Sequence, residues 1–142
     1  MKIRLLMLGK TRRAELRAAI DDYVKRISRS NPIEIEELRD GEAALKKLNA
    51  NRAATSVLLD ADAKACDSEA FAKWIGAQRD TGTKELIFVC GDADGFPGPL
   101  RERVRQKISL SPMTYSHELA RVMLVEQIYR AFAILSGSPY PR

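Results

Sequence analysis

At 142 residues, with 45% apolar and 30% charged side chains, the chain is long enough for one domain with a hydrophobic core and too short for two of ordinary size. No segment approaches the ~20 consecutive apolar residues needed to span a bilayer, so no membrane association is expected. Net charge is +5, and it is unevenly placed: residues 1–30 hold nine Lys/Arg against three Asp/Glu, residues 31–100 eight against thirteen, and residues 101–142 seven against three. Both ends are basic around an acidic middle, which suits a polyanionic partner approached by the two ends.

The N-terminal apolar run is short, is interrupted by Arg4 and leads to no small-residue cleavage site, so Ile3 to Leu8 reads as a buried strand and not as a signal peptide. Thr11 is a candidate N-cap for a helix reaching Ser28, with Leu16, Ala19, Ile20, Tyr23, Val24 and Ile27 on one face. Asn31-Pro32 breaks it, and Ile33, Ile35 and Leu38 alternate with glutamates as in a half-exposed strand. Asp40-Gly41 leads into a short helix over 42–48. Thr55 to Leu59 is a third strand, ending at Asp60. Asp67 or Ser68 caps a helix through Phe71, Trp74 and Ile75 to about Arg79. Leu86 to Cys90 is the fourth strand, Leu100 to about Lys107 a helix, and Ile108 to Leu110 a short fifth strand. The last helix runs from Ser116 to Leu135, with Leu119, Val122, Met123, Val125, Ile128, Tyr129 and Phe132 at core-facing spacing. This alternation predicts a single α/β domain over 1–142, with a mainly parallel sheet and helices on both faces. In such sheets ligands bind beyond the carboxyl ends of the strands.

The most informative motif follows the fourth strand: Gly-Asp-Ala-Asp-Gly-Phe-Pro-Gly, 91–98. Glycines let a backbone approach a ligand closely. The spacing of Gly91, Gly95 and Gly98 is too wide for a dinucleotide fingerprint, and no Gly-Lys-Ser/Thr ending marks a P-loop. A calcium loop is disfavoured because Arg103 stands where the closing glutamate would be. Cys66 and Cys90 fit no metal or redox spacing, so no metal and a reducing compartment are expected. His117, the only histidine, reads as structural. The stretch from Ser109 to Tyr115 lies at the same sheet edge as Gly91. Together the two could supply backbone groups and apolar side chains to an adenine.

Taken together, three stretches resemble the RlmH (YbeA-type) family of large-subunit ribosomal RNA methyltransferases, in the SPOUT superfamily. They are Phe-Val-Cys-Gly-Asp-Ala-Asp-Gly-Phe (88–96), the run Ile-Ser-Leu-Ser-Pro-Met-Thr-Tyr-Ser-His-Glu-Leu-Ala-Arg-Val and onward through residue 132, and the terminal Pro-Tyr-Pro-Arg (139–142). The N-terminal half agrees more loosely, at residues 2–10, 22–27 and 58–61. The resemblance implies a C-terminal trefoil knot, a cytoplasmic homodimer with the last helix in its interface, and S-adenosyl-L-methionine as cofactor. It places Leu59, Gly91, Leu110, Ser111, Pro112, Met113, Thr114 and Tyr115 at the cofactor. The implied reaction is methylation of N3 of a pseudouridine in 23S ribosomal RNA on the assembled ribosome.

The chain departs from that family at its end, where Pro141 stands in place of the usual histidine. Tyr140 and Arg142 remain as catalytic candidates, with Arg142 reaching a partner's pocket to stabilise the deprotonated ring. Lys10, Arg12 and Arg13 are candidates for phosphate contacts. The departure keeps open a catalytically impaired RNA- or ribosome-binding homodimer of the same fold, and, less strongly, a methyltransferase acting on transfer RNA.

Overall fold

The computed structural model describes residues 1–140. The elements in chain order are β1 (Lys2–Leu8), α1 (Ala14–Ser28), β2 (Ile33–Leu38), α2 (Gly41–Ala50), β3 (Thr55–Leu59), α3 (Ser68–Asp80), β4 (Glu85–Cys90), α4 (Gly98–Arg103), β5 (Gln106–Ile108) and α5 (His117–Ser136). The five strands form one sheet in the order β2-β1-β4-β3-β5, and every pairing is parallel. Central strands covered on both faces need continuous apolar runs. β4 meets this: Leu86 through Cys90 are all buried. β2, at one edge, keeps its alternation of isoleucine and glutamate.

The alternation of each strand sends side chains into two separate cores. Ile3, Leu5, Met7, Phe88 and Val57 point to the layer of α1, α3 and α5, where Ile20, Phe71, Ile75, Leu124 and Ile128 meet them. Leu6, Leu8, Leu58, Ile87 and Val89 point to α2 and α4, meeting Ala44, Leu48, Leu100 and Val104. Each fully buried aliphatic side chain stabilises the fold by about 1.5–3 kcal/mol relative to exposure. Ile128→Ala, which leaves a void at the centre of α5, would cost about 2–5 kcal/mol.

Several boundaries differ from the sequence reading. α1 starts at Ala14 and Arg13 is its N-cap position, without a side-chain cap. Thr11 does not cap it, because its hydroxyl is taken by Arg121. The helix after Pro97 ends at Arg103, since Val104 turns extended to bury itself against α2's layer. The fifth strand therefore comes early, at Gln106–Ile108, with Ser109 joined to Ala65 by an isolated parallel bridge. On α5 Leu119 is exposed, and the most deeply buried line runs through Arg121, Leu124, Val125 and Ile128. Asp40, Asp67 and Ser116 cap α2, α3 and α5 through their side chains.

Candidate active site

The register of β4, β3 and β5 brings Cys90, Leu59 and Ile108 level, so their following loops leave the sheet side by side. Between those loops lies a cavity of about 590 Å³, within the range typical of small-molecule sites. Its walls come from Leu59 to Asp62 after β3, Cys90 to Phe96 after β4, Arg101 on α4, and Ser109 to Ser111, Met113 and Tyr115 after β5. Ser116, His117 and Ala120 at the start of α5 close one side.

Local chemistry shapes both loops. A Cβ on Gly91 would stand 3.1 Å from the Gly95 carbonyl oxygen, a crowded contact with backbone, so the tight turn favours glycine at 91. Gly95 sits at φ +80°, and its amide donates to the Asp92 carbonyl. The Asp92 carboxylate accepts from the Asp94 amide at 2.8 Å. In the second loop the buried Ser109 hydroxyl donates to the Ser111 carbonyl (2.9 Å). The Ser111 hydroxyl in turn accepts from the Met113 amide (2.9 Å). The 109–115 strip is thus held by its own serines, and its Met113 side chain is 73% exposed.

Charge on the walls is largely acidic. Asp60, only 6% exposed, accepts from the Asp62 amide through Oδ1 and from Arg101 through Oδ2 at 2.7 Å. Burial alone would raise its carboxyl, but the Asp62 amide and the Arg101 guanidinium outweigh it and hold the group below the usual carboxylate range. The Arg101 guanidinium also lies 5.6 Å from the Phe96 ring centroid. Burial pushes the Cys90 thiol up to about 12, so it is inert as a nucleophile. His117 lies on the wall with Nε2 3.9 Å from Glu118 Oε2.

Leu59, Gly91, Leu110, Ser111, Met113 and Tyr115 therefore line one cavity. Pro112 and Thr114 belong to the same strip, are exposed, and are not part of the lining. Tyr140 is elsewhere. It borders a second hollow with Ser68, Gln127 and Arg130, and its hydroxyl donates to Glu126 Oε2 at 3.0 Å. Its ring stands edge-on to Tyr129 and faces the Arg130 guanidinium at 4.8 Å. Burial, then hydrogen bonds to Tyr23 and Glu126, raise its phenol well above the ordinary value. Arg142 and Pro141 lie outside the described residues. Asp60, Arg101, Glu118 and Arg121 carry no local signal in the sequence because their partners are 41 to 113 positions away. His117 reads as structural in the sequence, yet it stands on the cavity wall; a lone histidine just after a helix cap, beside the 109–115 strip, is the signal that points there.

A family model described as "Predicted SPOUT methyltransferase" matches residues 1–141. The chain belongs to this SPOUT methyltransferase family. It is 41% identical over 151 residues to the Ribosomal RNA large subunit methyltransferase H of Pelobacter propionicus, covering 99% of each chain. It is 40% identical over 153 residues to the protein of the same name from Trichlorobacter lovleyi, again covering 99% of each. The Koribacter versatilis protein of that name is 39% identical over 142 residues, with 99% of this chain and 97% of that one covered. Among solved structures, a probable methylase family protein from Haemophilus influenzae superposes with a TM-score of 0.59 at 9% identity, over 95% of this chain and 66% of that one. That likeness concerns the fold alone, and it agrees with a SPOUT-type α/β architecture. Among the described residues no helix is long and apolar enough to cross a membrane, and no three His, Cys, Asp or Glu side chains group as metal ligands.

Proposed function

We propose that the chain, acting over 1–142 as one domain, uses S-adenosyl-L-methionine to methylate N3 of a pseudouridine in 23S ribosomal RNA on the assembled ribosome. It works in the cytoplasm as a knotted homodimer. The observation that carries this reading is the cavity walled by the Gly91 turn and the 109–115 strip. It lies in a chain that matches, end to end, proteins named as ribosomal RNA large subunit methyltransferases. The exposed Leu119 and Ile134 on α5, with Met113 just before it, support a partner subunit against this helix.

The residues present fit the cofactor. Leu59, Leu110, Met113 and Ala120 offer apolar surface to a flat heterocycle, and Asp60, Asp62, Asp92 and Asp94 set a negative field suited to a cationic ligand. When bound, the cofactor supplies an activated methyl group on a sulfonium. Methyl transfer is an in-line displacement, so the chain acts mainly by orientation. The serine bonds hold the strip in shape and the glycine lets the turn close on itself, so each wall keeps its own form. The N3 proton must pass to solvent water as the bond forms, and a cation placed at the ring stabilises the anion left behind and lowers that barrier. Arg142 takes this role in the partner's cavity, with Tyr140 on the same tail. Lys10, Arg12 and Arg13 contact phosphates and position the RNA without reading its sequence.

The test is incubation with methyl-labelled cofactor and ribosomes lacking the modification. Incorporation mapped to a 23S pseudouridine supports the reading; incorporation into free transfer RNA, or none, overturns it. Cofactor binding without transfer would identify the impaired RNA-binding alternative.

A further inference from the structure

The segment between β1 and α1 carries Lys10, Arg12 and Arg13, all exposed, and residues from the far end of the sequence hold it from beneath. Gly9 turns the chain at φ +82°. The Thr11 amide donates to Glu37 Oε2 at 2.7 Å. The Arg121 guanidinium donates to three acceptors here: the Leu8 carbonyl at 2.6 Å, the Gly9 carbonyl at 3.1 Å and the Thr11 hydroxyl at 3.0 Å. The next two amides, of Arg12 and Arg13, both donate to Glu118 Oε1, at 2.9 and 3.0 Å. They lie just ahead of α1, whose start has no side-chain cap of its own. A carboxylate there also meets the positive end of the helix dipole. These bonds agree with a Glu118 carboxyl held below its ordinary range, first by the Arg13 amide and then, against burial, by the Arg12 amide, His117 and Arg121.

Arg121 is fully buried, at 0% exposure. An apolar side chain of similar volume at such a place is often at least as stabilising as a buried charge. What an apolar residue cannot do is grip two carbonyls and a hydroxyl of the loop at once. The same turn of α5 presents Ser116, His117 and Ala120 to the cavity. One helical turn therefore holds the basic loop on one side and forms a wall of the site on the other.

We propose that Glu118 and Arg121 are positioning residues that keep Lys10, Arg12 and Arg13 in fixed register with the pocket wall. A phosphate backbone held by the loop then presents its base to the methyl donor. The proposal rests on the reading that this loop contacts RNA.

The test compares wild type with Glu118→Ala, Glu118→Gln, Arg121→Lys and the double variant Lys10→Ala/Arg12→Ala, using large ribosomal subunits lacking the modification. S-adenosylhomocysteine binding reports the pocket separately. Glu118→Ala should raise KM for the subunits about tenfold while kcat stays within about twofold. Its S-adenosylhomocysteine affinity should not change. The slope of log affinity against log salt should become shallower by roughly 0.7–0.9 for each phosphate that the loop no longer neutralises. Glu118→Gln keeps an acceptor oxygen and should stay near wild type. Arg121→Lys keeps the charge but not the planar fork, so it should move KM in the same direction. If KM and salt slope are unchanged in both Glu118→Ala and Arg121→Lys, or if S-adenosylhomocysteine affinity falls in parallel, the positioning role is overturned. If the Lys10/Arg12 double variant keeps wild-type KM and salt slope, the loop does not grip RNA and this proposal falls while the methylation reading stands. A wild type that fails to methylate overturns that earlier reading instead.

Discussion

Replacing Arg101 by alanine removes the guanidinium that pairs with Asp60 on the cavity wall, at 2.7 Å. The pair is neither a surface pair nor a sealed one. Arg101 is partly exposed, but Asp60 is buried and its Oδ2 would be left without its partner, while Oδ1 keeps the Asp62 amide. Exposed pairs contribute about 0–1 kcal/mol and broken buried ones about 3–5 kcal/mol. A charge-assisted hydrogen bond of this kind lies between, at about 2 kcal/mol. For a chain of this length that lowers Tm by about 6 °C, at roughly 3 °C per kcal/mol. Asp60→Asn should cost a similar amount, because its amide group would point a donor at a donor. The double variant should then cost no more than either single change, a coupling of about 1.5–2 kcal/mol in a double-mutant cycle. Both side chains line the site, so S-adenosylhomocysteine affinity should fall about fivefold to tenfold in each. Thermal unfolding and calorimetric titration at pH 7 make the check. Additive single effects, or an Arg101→Ala protein with wild-type Tm and affinity, would refute the claim that this pair braces the pocket.

Four further outcomes follow from the same geometry. Gly91→Val should fold but bind S-adenosylhomocysteine at least about tenfold more weakly by titration, because its Cβ would displace the Gly95 carbonyl 3.1 Å away. Tyr140→Phe keeps the ring against Tyr129 and Arg130 and gives up the hydroxyl's bonds to Glu126 and Tyr23, so it should retain most turnover, whereas Tyr140→Ala should lose about tenfold or more in kcat/KM. Asp60, Glu37 and Glu118 all have carboxyls held below their ordinary range in the folded state. Their contribution to stability is therefore complete above the unfolded values of about 4 and is lost as pH falls through the folded ones. A pH series of Tm should be level from about pH 7 to 5 and drop steeply below about 4, with a smaller drop in Asp60→Asn. Cys90 should resist iodoacetamide at pH 8 in the folded protein by mass spectrometry, since burial keeps its thiol protonated.

Much of this architecture could be read from local pattern. The third strand begins and ends where Thr55 and Leu59 do, and Asp67 and Ser116 cap their helices, because apolar runs and caps are short-range signals. Local pattern misleads where a distant partner decides the outcome. Thr11 has the look of a cap, yet Arg121, 110 positions on, takes its hydroxyl. The fifth strand is displaced because Gln106 and Lys107, exposed on an edge strand, carry no apolar signature. The site divides in the same way. The glycine turn and the 109–115 strip announce themselves by composition and by resemblance. The ion pair of Asp60 with Arg101 and the grip of Glu118 and Arg121 on the first loop exist only once the sheet has brought the segments together. Pro112 and Thr114 lie in the right strip, yet the strip bends on its serine turns and leaves both exposed outside the lining.

The central claim is that the methyl donor sits between the Gly91 turn and the strip after β5. Backbone amide exchange with and without S-adenosylhomocysteine addresses it directly. Protection concentrated at residues 91–96 and 109–116 is the predicted result. Protection confined to other segments, or none at saturating ligand, would contradict it.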